Sequence, residues 1–144
     1  MTPQGRPFSQ EKARELSGKK AVLTLICGRY EGFDERLRCL VDEEISGGDF
    51  ICMGGEVITM TMIETISRLI PDVLGNQESA VHESFTQPML EFPQYTRPAS
   101  FEGMEVPEEL KSGNHKIIAQ WREEQALERT KNRRPDLLQC KTKS

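Results

Sequence analysis

Apolar residues follow two different rhythms along this chain. Residues 21–27 (AVLTLIC) form a short, mostly apolar run with a β-branched share, which predicts a buried strand of a parallel sheet. Residues 57–70 behave otherwise. Ile58, Met62, Thr65, Ile66 and Leu69 recur at helical spacing, and Pro71 stops the helix they predict. A second short strand is expected at 49–53, between two Gly-Gly pairs, and residues 41–46 read as a weak strand or a loop. Ser9 is placed to cap a short helix ending near Gly18, and Asp34 to cap another. Residues 75–106 show little periodicity and hold Gly75, Pro88, Pro93, Pro98 and Gly103. Loops of that length are uncommon inside a compact domain and are often functional or linking. Beyond them, Pro107 suits the first turn of a short helix. Asn114 caps a longer one over about 115–129, and a last short helix starts at Pro135.

The order is therefore strand–loop–helix units, then a linker, then a small helical region: an α/β chain with residues 1–75, 76–106 and 107–144 as its parts. With 144 residues and 36% apolar content, one domain, or one domain with a small appendage, and a modest core are expected. No run approaches the roughly 18 apolar residues of a membrane span, and the first fifteen residues lack a secretory apolar stretch. A cytoplasmic protein is the expectation. Cys27, Cys39, Cys52 and Cys140 show no CxxC spacing and read as buried thiols rather than as disulfides or a zinc site.

Charge is unevenly spread. Residues 73–110 carry one basic side chain (Arg97) and seven acidic ones, whereas residues 111–144 carry nine basic and four acidic. Such a basic end can meet a polyanion, or can simply be a solvated helical tail. Three Gly-bearing loops, TPQG, CGRYEG and the flanks of DFICM, adjoin the short strands. Free backbone N–H groups at such loops can hold a small ligand. Neither GxGxxG nor GxxxxGK[ST] occurs, so a Rossmann dinucleotide site and a P-loop are unsupported.

The strings TPQGR, CGRYEGFDER, SGGDF, GGE, SRLIPDVLG, YTRP, FEGMEVPEEL and SGNH occur in one order with matching gaps. Together they closely resemble the bacterial tRNA (guanine-N1)-methyltransferases, of the SPOUT (trefoil-knot) superfamily. The resemblance implies a partial SPOUT-type knotted parallel sheet followed by a small α-helical, tRNA-binding domain. It implies a homodimer that uses S-adenosylmethionine, with magnesium as a further candidate cofactor, to methylate N1 of guanosine 37 in tRNA. Carried over residue by residue, the cofactor site falls on Pro3, Gln4, Gly5, Gly28, Tyr30, Glu31, Gly47, Gly48, Asp49, Phe50, Ile51 and Cys52, with no metal ligands. For each glycine the plainer alternative is a simple turn, and the motif in register favours ligand contact.

N1 of guanine carries a proton at neutral pH, so a base must remove it as the methyl group arrives. The resemblance places that base at Glu83, where the family has an aspartate; the carboxylate is kept but its reach grows by about one carbon–carbon bond. Arg68 matches the family's catalytic arginine, suited to negative charge on O6 of guanine. The plainer alternatives are a solvated linker charge for Glu83 and a helix-face pair with Glu64 for Arg68. Met53, Ile58 and Thr59 depart from the family beside the cofactor loops. The basic set Lys111, Lys116, Arg122, Arg129, Lys131, Arg133 and Arg134 suits phosphate contacts, while Trp121 reads as core. His82 and His115 lack metal-ligand spacing.

The resemblance further implies upstream strands and a glycine-rich loop ahead of residue 1. The chain is thus expected to be an N-terminally shortened member, with an uncovered apolar edge at 21–27. A non-catalytic RNA-binding or dimerising remnant is the alternative reading.

Overall fold

Ser9 and Gly18 bracket the first helix as expected. In the computed structural model, which describes residues 1–75 and 83–139, helix α1 (Gln10–Ser17) starts where the Ser9 side chain accepts from Lys12 N (3.2 Å). It ends where the Gly18 N–H returns to Arg14 O. Helix α2 (Glu56–Ser67) buries Thr59, Met62 and Ile66, a three- and four-residue spacing. It stops three residues short of the expected end at 70. The N–H groups of Leu69 and Ile70 reach back three residues, to Ile66 and Ser67. This tightened turn fits the bias against helical geometry immediately before Pro71.

The chain divides into two compact units, Met1–Gln77 and Glu78–Ser144. In the first, strand β1 (Arg6–Pro7) pairs in parallel with β2 (Ile45–Ser46), in the register Arg6 to Ile45 and Pro7 to Ser46. Helices α1 and α2 pack together. The core is small: Ala13, Ile45, Met62 and Ile66, flanked by Met1, Phe8, Leu16, Leu25 and Leu69. Asp34 caps a 3-10 helix (Glu35–Leu40) by accepting from Arg36 N (2.9 Å).

Two expectations are corrected here. Residues 21–27 and 49–53 are not strands. An apolar run becomes a strand only when a neighbour completes its ladder, and neither run has one among the described residues. The ladder contact closest to them is a single antiparallel bridge between Arg29 and Gly54. Most of their apolar side chains accordingly stay out, Val22 being 95% exposed and Met53 92%, while Leu25 packs against the core. The parallel pair forms instead at the weakly apolar 45–46. Cys52 is exposed rather than buried, as is Cys39; Cys27 is half-buried, and all three are free thiols. Cys140 and His82 lie outside the described residues.

In the second unit, β3 (Ser100–Phe101) and β4 (Met104–Glu105) form a two-stranded antiparallel hairpin. Its turn residues, Glu102 and Gly103, both have positive φ (49° and 78°), as a tight hairpin of this hand requires. Helix α3 (Glu108–Lys111) follows Pro107, which sits at the cap rather than inside the first turn. Helix α4 (His115–Arg133) is capped by the Asn114 side chain and runs four residues past the expected end at 129. Thr130 accounts for part of that extension. It is fully buried, its hydroxyl donates to Ala126 O (2.6 Å), and it accepts Leu90 N (2.9 Å). Arg129 also donates to Glu91 O (3.3 Å), so residues 90–91 are tied to α4. Helix α5 (Asp136–Gln139) follows Pro135.

Candidate functional site

Three loops of the first unit meet around one cavity of about 380 Å3. The first begins at Met1, whose nitrogen donates to Ile26 O (2.8 Å), and Thr2 N bonds Ile45 O (3.0 Å). Residues 1–4 are thereby held between the other two loops. The second, residues 28–33, holds Tyr30 at φ 61° and Gly32 at φ 109°, and Tyr30 is almost fully exposed. The third turns at Gly48 (φ 140°), where the Ser46 hydroxyl both accepts Gly48 N and donates to Gly48 O (3.1 Å each).

Polar contacts lock these loops together. Gly55 N donates to Gly28 O (3.1 Å), Arg29 pairs with Glu56 (2.7 Å), and the Cys27 thiol lies 2.9 Å from the Thr59 hydroxyl. The Glu56 carboxyl is held below its ordinary range, first by its own backbone N–H at the start of α2 and then by Arg29. Arg38 joins the 3-10 helix to the first and third loops: it donates to the Gln4 side chain and pairs with Glu35 (3.0 Å) and Glu44 (3.6 Å).

Ten of the twelve sequence-expected cofactor residues line this cavity: Pro3, Gln4, Gly28, Tyr30, Glu31, Gly47, Gly48, Phe50, Ile51 and Cys52. Gly5 and Asp49 do not. A Cβ on Gly5 would lie 2.5 Å from Glu44 O and Ile45 N, so its lack of a side chain lets two backbones touch. Ile58, expected beside the cofactor loops, lines the cavity too; sequence reasoning missed Leu25, Ile26, Arg38 and Glu44, which also line it. Leu25 and Ile26 were hidden inside an expected strand, and Arg38 carried no motif.

The site can hold an amphipathic cationic ligand. Leu25, Ile26, Ile51 and Ile58 supply apolar wall, the glycines admit close backbone approach, and Glu31 lines the cavity without a hydrogen-bond or ion-pair partner among the described residues. Met53 lines it and is exposed, whereas Thr59 is buried and does not line it. No three His, Cys, Asp or Glu side chains among the described residues are grouped to hold a metal ion. Arg68, the C-cap of α2, is half-buried in the first unit, and Glu83 is half-buried in the second.

The basic set is not uniformly available. Lys111 pairs with Glu108 (2.6 Å) and Arg134 with Asp136 (2.6 Å), whereas Lys116, Lys131 and Arg133 are exposed. His115 is the first residue of α4. Trp121 is half-buried against Tyr95. Among the described residues, no helix is long and apolar enough to cross a membrane.

Comparison with known proteins gives a consistent result. The family described as tRNA (Guanine-1)-methyltransferase TrmD matches residues 1–140. The tRNA (guanine-N(1)-)-methyltransferase of Symbiobacterium thermophilum is 63% identical over 139 residues, that of Staphylococcus haemolyticus 60% and that of Syntrophotalea carbinolica 58%. Each alignment covers 96% of this chain and 56% of the relative, so the chain spans about half the length of the curated relatives it matches.

Proposed function

Because the chain belongs to the tRNA (guanine-1)-methyltransferase family, we propose that it takes part in S-adenosylmethionine-dependent methylation of N1 of guanosine 37 in tRNA. One observation carries this reading: ten residues chosen on motif alone border a single cavity of about 380 Å3. That volume lies within the roughly 300–1,000 Å3 of small-ligand sites, and the donor set fits the group. The apolar wall suits an adenosine, and the Glu31 carboxylate suits a cationic sulfonium or amino group. When bound, S-adenosylmethionine supplies an electrophilic methyl group.

The chain's own residues do the rest. Backbone groups of the three loops orient the cofactor, and Arg29–Glu56 and Arg38–Gln4 hold those loops in place. Glu83 takes the proton from N1 of guanine, and the Arg68 guanidinium balances negative charge on O6. The exposed cations Lys116, Lys131 and Arg133 meet RNA phosphates. The knotted SPOUT arrangement and a homodimer belong to the same reading. Exposed apolar side chains of the first unit, among them Val22, Met53, Val57 and Met60, are suited to cover by further chain or by a second copy.

The test is a Glu83→Gln variant in a single-turnover methyl-transfer assay on tRNA, with the product base identified by mass spectrometry. Cofactor binding should persist and transfer should fall about 10²-fold or more. Near-normal transfer would remove Glu83 as the base.

A further inference from the structure

The second unit holds a groove of about 570 Å3 that the reading above leaves unused. Residues 92–97 and Ala99 form one wall, and Val106, Leu110 and Lys111, with Ile118 and Arg122 of α4, form the rest. Its charge is one-sided. Residues 101–110 carry four glutamates, yet no carboxylate lines the groove, while Arg97, Lys111 and Arg122 do. Lys111 is engaged by Glu108. Arg122 instead lies over the Phe92 ring, 4.7 Å from its centroid. Arg97 is exposed and has no hydrogen-bond or ion-pair partner among the described residues. Two guanidinium groups thus line one groove without a carboxylate to neutralise them.

The groove is also aromatic. Tyr95 is 46% exposed, and Trp121 packs against it with ring centroids 6.2 Å apart and planes inclined at 55°. A ring steadied on one side and open on the other is a stacking platform. A guanidinium fork matches a phosphate group in geometry and charge. Unpaired bases are the part of an RNA that can be splayed onto such a ring. An acidic peptide would use the cations and leave the ring idle.

We propose that this groove binds one unstacked nucleotide of the RNA, its base against Tyr95 and its phosphate on Arg97. The proposal rests on the RNA-methylating reading above, and adds a subsite apart from the cofactor loops.

The full chain carries one tryptophan, Trp121, beside Tyr95, so its fluorescence reports on the groove. Titration with hexauridylate should change that fluorescence saturably. Arg97→Ala should weaken binding about tenfold and lower the log–log salt slope by about 0.7, one phosphate contact on a single strand. Tyr95→Leu should weaken it by a similar factor, and Tyr95→Phe should restore it. Calorimetry with S-adenosylmethionine on the same samples separates the two readings. A chain that binds S-adenosylmethionine but gives no saturable response to hexauridylate overturns the groove alone. Unchanged hexauridylate affinity in Arg97→Ala, an exposed position that leaves packing intact, overturns it too. Equal displacement by polyglutamate overturns it by assigning the groove to anions in general.

Discussion

Gly5 sits where a Cβ would be 2.5 Å from backbone atoms of residues 44 and 45. Backbone cannot yield as a side-chain end can, so Gly5→Ala should destabilise the first unit by an amount at the upper end of the roughly 1–3 kcal/mol of overpacking, read from urea unfolding. The sequence motif marked Gly5 as a ligand contact; its packing role depends on which distant segment lies beside it, and that is invisible in one dimension. Glu15 makes a different point. Lys12 and Lys19 hydrogen-bond its carboxyl and hold it down to about 2, from 4.5. A lowered folded-state value stabilises above the unfolded value, and the contribution is lost as pH falls toward the folded one. The urea midpoint should therefore decline between about pH 4.5 and about pH 2, and Glu15→Gln should flatten that decline. Asp34, held to about 2 from 3.8 by Arg36, contributes in the same sense, between about pH 3.8 and about pH 2.

Helices were legible and strands were not. The caps Ser9, Asp34 and Asn114 act within three residues of themselves, so local sequence is enough to place the elements they start. The ends of α2 and α4 were displaced by three or four residues, where Pro71 and the buried Thr130 intervene. Residues 21–27 have strand composition, but a strand exists only with a partner, and its composition says nothing of one. The hairpin at 100–105 is hidden in the sequence for the opposite reason: its residues are exposed, and its signal is the backbone of Glu102 and Gly103. Within α2, Met62 is fully buried at the centre of a four-residue core. Met62→Ala should cost about 2–5 kcal/mol, enough to abolish cooperative thermal unfolding of the first unit.

Over the whole molecule, the family motifs carried more than periodicity did. They brought Pro3, Gly28, Gly48 and Cys52, spread over fifty residues, to one cavity that no spacing rule foretells. They missed Arg38 and Leu25, whose contribution arises only when the three loops close. Val22 is nearly bare on the first unit, while the three loops surround the cavity that the family reading assigns to the cofactor. The most direct test of that reading is calorimetric titration of the chain with S-adenosylmethionine, alongside a Gly28→Val variant. A Cβ on Gly28 would meet the Phe33 ring at 2.8 Å, and both residues line the cavity. Saturable one-site binding by the parent, weakened at least about tenfold in a variant whose circular dichroism is unchanged, is the expected result. No binding by the folded parent, or equal affinity in the folded variant, would contradict the assignment of these loops to the cofactor.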